Sequence, residues 1–224
     1  MVFDNGSVFE LTKGYGRSII TCFARLGGRP VGVITTDPMQ YGGGMTKASA
    51  SKMEAFIDLC DTFHLPIVYL VDNPGFLIGT QAEEEGTVRL GSRALMACLQ
   101  ASVPWVSIIV RRCYGVAGAG HGNADALNLR YAWPSADWGS LPIEGGVQAA
   151  YRREIEAAED PDAKRREIED RLEQYRSPFR TAEAFGIEEV IDPRDTRPIL
   201  CDWAEMAYDI IPNQVGPKAR TSRP

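Results

Sequence analysis

The run Tyr114-Gly115-Val116-Ala117-Gly118-Ala119-Gly120 could do chemistry without any reactive side chain. Its small residues let two backbones, or a backbone and a ligand, approach closely. The β-branched stretch from Val106 to Val110 just upstream reads as a buried strand. If a helix starts near Val116, its first amides lack intrahelical partners. Those donors, aided by the helix dipole, can hold a negative oxygen. That is the arrangement of an oxyanion hole, in which fixed dipoles stabilise charge as it develops. The same run has a second reading, in which small residues only let the helix lie tightly on its sheet. The local pattern leaves both open.

Two other turns carry unusual residues: Asp37 to Gly44, with three consecutive glycines, and Asp72 to Thr80, with Asn73-Pro74-Gly75-Phe76. The amides of Gly75 and Phe76 could face the same ligand, although Pro-Gly equally makes a tight turn on its own. His121 follows the small-residue run and invites an acid–base role. We read it instead as a packed or hydrogen-bonded ring about one turn into a helix. His64, before Leu65-Pro66, reads as a helix-end residue. Arg111 and Arg112 could reach a phosphate, but ordinary ion pairing accounts for them. Glu83, Glu84 and Glu85 read as the acidic first turn of a helix.

These turns need a frame. Residues 7–13 alternate like a strand or entry segment, and 19–26 with 31–35 form a hairpin around Gly27-Gly28. A helix at about 46–63 follows the first turn, then a strand at 67–71, the second turn and a helix at about 83–102. The third strand leads into the small-residue run, whose helix is expected to reach about Leu127. A short apolar segment runs from Tyr131 to Gly139. Two charged helices, 144–159 and 161–176, are split at Asp160-Pro161, where Asp caps and Pro suits the first turn. Ile168, Leu172 and Tyr175 form a narrow apolar stripe on the second. A last short strand at 185–191 and a helix at 199–210 precede an extended tail from Pro212. Alternating strands and helices predict an α/β fold, a single domain over 1–224 with no linker. The three turns lie at the carboxyl ends of their strands, where such sheets place ligands.

At 224 residues the chain can bury a full core. Its formal charge of −6 argues against a nucleic-acid binder. No apolar run is long enough for a membrane span, and the first residues do not resemble a signal peptide. Five cysteines without a C-x-x-C pair read as free thiols of a reducing cytoplasm. With only His64 and His121 present, a His-rich metal site is impossible, and no metal is expected.

The segment Val71-Asp-Asn-Pro-Gly-Phe-Leu-Ile-Gly-Thr80 resembles the D-x-P-G-F-x-x-G-T motif of the carboxyltransferase subunits of biotin-dependent acyl-CoA carboxylases. Arg111-Arg-Cys-Tyr-Gly-Val-Ala-Gly118, Tyr131-Ala-Trp-Pro134 and Glu189-Val-Ile-Asp-Pro-Arg-Asp-Thr-Arg197 match the same family in the same order. The resemblance covers nearly the whole chain but only the second half of a family subunit, which contains two related halves.

The resemblance implies a crotonase-like fold of repeated ββα units and an enzyme that transfers a carboxyl group from carboxybiotin, borne on a carrier protein, to an acyl-CoA. The biotin left behind is enolate-like and removes the acyl α-proton, so no side-chain base is needed. Its oxygen is held by two backbone amides, which carry over to Val116 and Ala117. Gly75, Phe76, Gly115, Gly118 and Ala119 would border the substrates, with Ala119 near the acyl pocket and bearing on acyl length. Val116 stands where the family often has glycine, which narrows the approach. Implied partners are an amino-terminal carboxyltransferase half, a biotin carboxyl carrier protein, a biotin carboxylase subunit and further copies of the chain. Two alternatives are a biotin-dependent acyl-CoA decarboxylase subunit and a non-catalytic assembly module. A hydratase-type crotonase would need a pair of glutamates in the turns, which we do not find.

Overall fold

The computed structural model describes residues 1–122, 126–140 and 143–223, apart from the side chains of Ala119, Glu144 and Ala149. Strand β1 (Phe9–Leu11) is the short remnant of the expected strand at 7–13. It pairs antiparallel with β2 (Ile19–Leu26), which forms a hairpin with β3 (Arg29–Thr36). Gly27 and Gly28, at φ +56° and +84°, make the two-residue turn whose twist suits such a hairpin. Helix α1 (Lys47–Thr62) begins at Thr46, whose hydroxyl accepts from the Ser49 amide at 3.1 Å. The Ser49 hydroxyl in return accepts from the Thr46 amide at 2.7 Å.

Strand β4 (Ile67–Asn73) follows. The helix expected at about 83–102 is two: α2 (Thr80–Glu84) and α3 (Thr87–Gln100), separated at Gly86, which is left-handed at φ +72°. The acidic run therefore closes α2 rather than opening the longer helix. Strand β5 (Trp105–Tyr114) leads into α4 (Gly115–Ala119). Here the expectation fails: α4 has five residues and does not reach Leu127. Part of that expected helix, 123–125, lies outside the described residues, and β6 (Asn128–Ala132) begins just beyond.

Strand β7 (Asp137–Gly139) precedes α5 (Ile143–Ala150), α6 (Arg152–Glu156) and α7 (Pro161–Glu173). The first charged helix thus breaks at Tyr151. Asp160 caps α7 by accepting from the Asp162 and Ala163 amides, and Pro161 opens it, as expected. Ile168 is buried and Leu172 packs beside it, but Tyr175 is exposed and leaves the stripe. Helix α8 (Pro178–Glu183) comes next; β8 (Glu189–Val190) has two residues, and α9 (Thr196–Ile210) completes the elements.

The strands form one sheet in the order β1-β2-β3-β4-β5-β6-β8, with β7 on β5, parallel from β3 onward. Strand β4 shows why its first five residues carry no charge: Ile67, Tyr69 and Val71 face the α1–α3 side, and Val68 faces α9. Helices α5 to α7 have a small core of their own, built on Ile143, Val147, Ile155 and Ile168. The tail is not a free extension. Arg223 pairs with Glu54 and Asp58 of α1 at 2.9 and 2.8 Å, and Arg220 with Asp58 and Asp61. No helix among the described residues is long and apolar enough to cross a membrane.

Candidate functional site

Strand β5 is held along two stretches. Trp105 to Ile109 pair with β6, and Arg112 to Tyr114 pair with β7. Its far end is where the chain reverses, through Gly115 at φ +59°, into α4. A Cβ on Gly118 would lie 2.5 Å from the Cys113 carbonyl carbon, so only glycine lets α4 fold back this tightly. Val116, at the tip, is 62% exposed, whereas Ala117 is 1% exposed. With five residues, α4 is too short to bring much helix dipole. What it can offer is local: the first amides of a helical turn have no preceding carbonyl to donate to.

The second turn is built against the first. Asn73 accepts from the Gly75 amide at 2.9 Å and donates to the Ala117 carbonyl at 3.4 Å. The Gly75 amide is therefore spent inside the turn, and what Gly75 contributes is close approach: at φ +115°, its Cβ position lies 3.8 Å from the Tyr114 carbonyl oxygen. The Phe76 ring covers Gly91 of α3 and so anchors the turn. The turn after β3 joins through Met45, whose amide donates to the Gly75 carbonyl and whose carbonyl accepts from Leu77, both at 2.9 Å. All three turns converge, as the strand order predicted. Ala119 belongs to α4, but its side chain lies outside the described residues.

Charge at the site is largely internal. Asp72 receives Arg111 at 2.7 Å and Arg112 at 2.8 Å. Burial would raise the Asp72 carboxyl, but these bonds outweigh it and hold it below its ordinary value. Both arginines thus tie β4 to β5. His121 lies past the end of α4, not within a helix. Burial, and then the charge of Arg130, push its ring down to about 4, so it is neutral at pH 7. Burial lifts the Cys113 thiol to about 12, which removes it as a nucleophile. Among the described residues no three His, Cys, Asp or Glu side chains gather to hold a metal. Beside Gly115 lies a cavity of about 260 Å³ bordered by Ile109, Cys113, His121, Trp138 and Ile187.

Sequence reasoning missed two groups. Asn73 had a signal, because Asn two residues before a glycine favours a side-chain-closed turn. The cluster of Tyr114, Asp137 and Arg176 had none, since its members come from three distant segments.

A model of the carboxyl transferase domain matches residues 1–218. The chain is 37% identical over 207 residues to the methylmalonyl-CoA carboxyltransferase 12S subunit of Propionibacterium freudenreichii, covering 92% of this chain and 40% of that protein. It is 38% identical over 201 residues to the propionyl-CoA carboxylase carboxyltransferase subunit of Haloferax mediterranei, covering 88% and 38%. The fold matches a crystal structure of transcarboxylase 12S, a hexamer with methylmalonyl-coenzyme A and methylmalonic acid bound, at TM-score 0.83 and 35% identity. That match covers 100% of this chain and 42% of the other. The chain therefore spans about two fifths of the length of these relatives, corresponding to their carboxyl-terminal half, and shares their crotonase-like fold. On the sequence match and the fold together, the chain belongs to the carboxyl transferase domain family.

Proposed function

We propose that this chain supplies the biotin-facing half of a carboxyltransferase site acting between carboxybiotin and an acyl-CoA. The observation that carries this reading is the turn at Gly115, where α4 starts against the other two turns through Asn73 and Met45, with a cavity on its β6–β7 side. Carboxybiotin would supply the transferable carboxyl group and, once that group departs, a ureido oxygen carrying negative charge. The Val116 and Ala117 amides are the donors we put against that oxygen. Loss of one such donor typically costs about 3–4 kcal/mol of transition-state stabilisation. Gly115 and Gly118 hold the turn, Gly75 and Phe76 wall it from the β4 side, and Ala119 is the residue we assign to the acyl end of the site. The neutral His121 and the protonated Cys113 fit a site whose own residues donate hydrogen bonds and transfer no proton.

The acyl-CoA is held by an amino-terminal carboxyltransferase half, and the biotin arrives on a carrier protein served by a biotin carboxylase subunit. Several copies assemble, in the cytoplasm, where the five free cysteines suit a reducing medium. The test is carboxyl transfer from malonyl-CoA or methylmalonyl-CoA to free biotin, by the chain alone and with a family-type first half. A Val116→Pro variant, checked for folding by circular dichroism, lacks one donor. Transfer that needs the first half and collapses in the folded variant supports the reading. Transfer by the chain alone would overturn the division of the site, and no transfer in either mixture would favour an assembly role.

A further inference from the structure

Tyr114 is the last residue before the Gly115 turn, and it is 2% exposed. Its hydroxyl donates to Asp137 Oδ2 at 2.5 Å and accepts from Arg176 Nη2 at 2.5 Å. Arg176 also grips Asp137 directly, Nε to Oδ1 at 2.5 Å and Nη2 to Oδ2, and its guanidinium carbon stands 5.8 Å from the centre of the Tyr114 ring. Burial, with the neighbouring Asp137, raises the Tyr114 hydroxyl, so it stays protonated and remains a donor.

The three side chains come from separate elements. Tyr114 ends β5, Asp137 opens β7, and Arg176 lies just past α7, where Nη1 also reaches Glu173 at 2.9 Å. Helices α5 to α7 have a core of their own, so this cluster is a polar tie between that flank and the strand carrying the turn. A guanidinium engaging a carboxylate through two nitrogens fixes direction as well as distance. Strand β7 fixes the backbone at the same point, since Tyr114 pairs with Gly139.

We infer that Arg176 is a positioning residue for the site. By fixing Tyr114 against Asp137 it holds the Gly115 turn, and therefore the Val116 and Ala117 amides, in one orientation. It also couples the α5–α7 flank to that orientation. This rests on the donor reading given above, but its physical content is the rigidity of two amides, which can be read without turnover.

The test compares wild type, Arg176→Lys, Arg176→Met and Tyr114→Phe by amide relaxation and by biotin carboxylation with a family-type first half. In Arg176→Met the order parameters of the Val116 and Ala117 amides should fall from about 0.85 to below about 0.6, while β4 amides stay rigid. The kcat should fall by about 10- to 100-fold with KM for biotin unchanged, as misaimed groups produce. Arg176→Lys should lie between, keeping the charge and losing the fork. If Arg176→Met does not fold, Tyr114→Phe removes only the shared hydroxyl and should loosen the same two amides. Unchanged order parameters in the folded variants would overturn the inference. Loosened amides in a protein whose wild type transfers no carboxyl group would uphold the positioning and sink the proposed reaction instead.

Discussion

Asn73 bridges two turns: its side chain accepts from the Gly75 amide at 2.9 Å and donates to the Ala117 carbonyl at 3.4 Å. Asn73 is fully buried, so neither bond has water as a ready substitute. Asn73→Ala leaves one amide and one carbonyl without it. We expect a loss of about 1–3 kcal/mol in urea unfolding. Carboxyl transfer should drop further than that loss explains, because the Ala117 end of the turn is released. Asn73→Asp keeps the acceptor and loses the donor, so it should retain the Gly75 turn and lose the link to Ala117. Equal stability of the two variants would show that the Gly75 bond is unimportant, and wild-type transfer in Asn73→Asp would show the same of the link to Ala117.

Gly118→Ala should not be accommodated. The new methyl would sit 2.5 Å from the Cys113 carbonyl carbon and 3.0 Å from its Cα, both backbone atoms that cannot swing aside. Overpacking of this kind costs about 1–3 kcal/mol or more. A variant with wild-type urea midpoint and wild-type transfer would contradict the geometry given for α4.

His121 makes stability depend on mild acid. Its ring is depressed from 6.5 to about 4 in the folded chain, mainly by burial. The unfolded chain therefore takes up this proton first as the pH falls, and stability is lost progressively from about pH 6.5 down to about 4. Each pH step of one across that window is worth about 1.4 kcal/mol, which brings the loss to ~3 kcal/mol at the lower end. Unfolding midpoints measured at pH 7.5, 6 and 5 should decline in wild type. His121→Gln should remove most of that decline, and an unaltered slope would show that another group is responsible.

The tail should behave as an electrostatic clasp. Arg223 is largely buried between Glu54 and Asp58, and Lys218 and Arg220 approach Asp61. Burial would raise the Glu54 carboxyl, yet the bonds from Arg93 and Arg223 prevail and lower it. Arg223→Ala should cost about 1–3 kcal/mol, between the values of exposed and fully buried pairs. It should also blunt any loss of stability on raising salt from 0.05 to about 0.5 M. Limited proteolysis should then cut the tail sooner than in wild type.

Legibility from sequence followed the range of the interactions. The hairpin, α1, β4, β5 and α9 could be read because propensity, burial pattern and turn residues agree within each of them. Gly115 and Gly118 were legible because glycine at a sharp reversal has a local cause. The length of α4 was not. Small residues permit a helix without demanding one, so their run does not say where the helix ends. The break at Gly86 was available in principle, since a left-handed glycine commonly ends a helix, but the apolar pattern runs on across it. Arg176 and Asp137 carried no signal because 38 intervening residues separate them and their meeting depends on how α5 to α7 fold back. The tail was misjudged for the same reason: its arginines look solvated until α1 supplies their carboxylates.

Strand β5 can be regarded mechanically as a cantilever. It is clamped by β4 and β6 over Trp105 to Ile109, and its tip is propped on the far side by the three residues of β7. The clamp carries most of the buried apolar surface, and the tip carries the turn. Compliance at the tip is therefore set by the short β7 pairing and a few polar contacts, Asn73 to Ala117 among them. Substitutions that soften the tip should then cost the proposed reaction more than their share of stability, so a search for important residues ranked by thermal stability alone would underrate them.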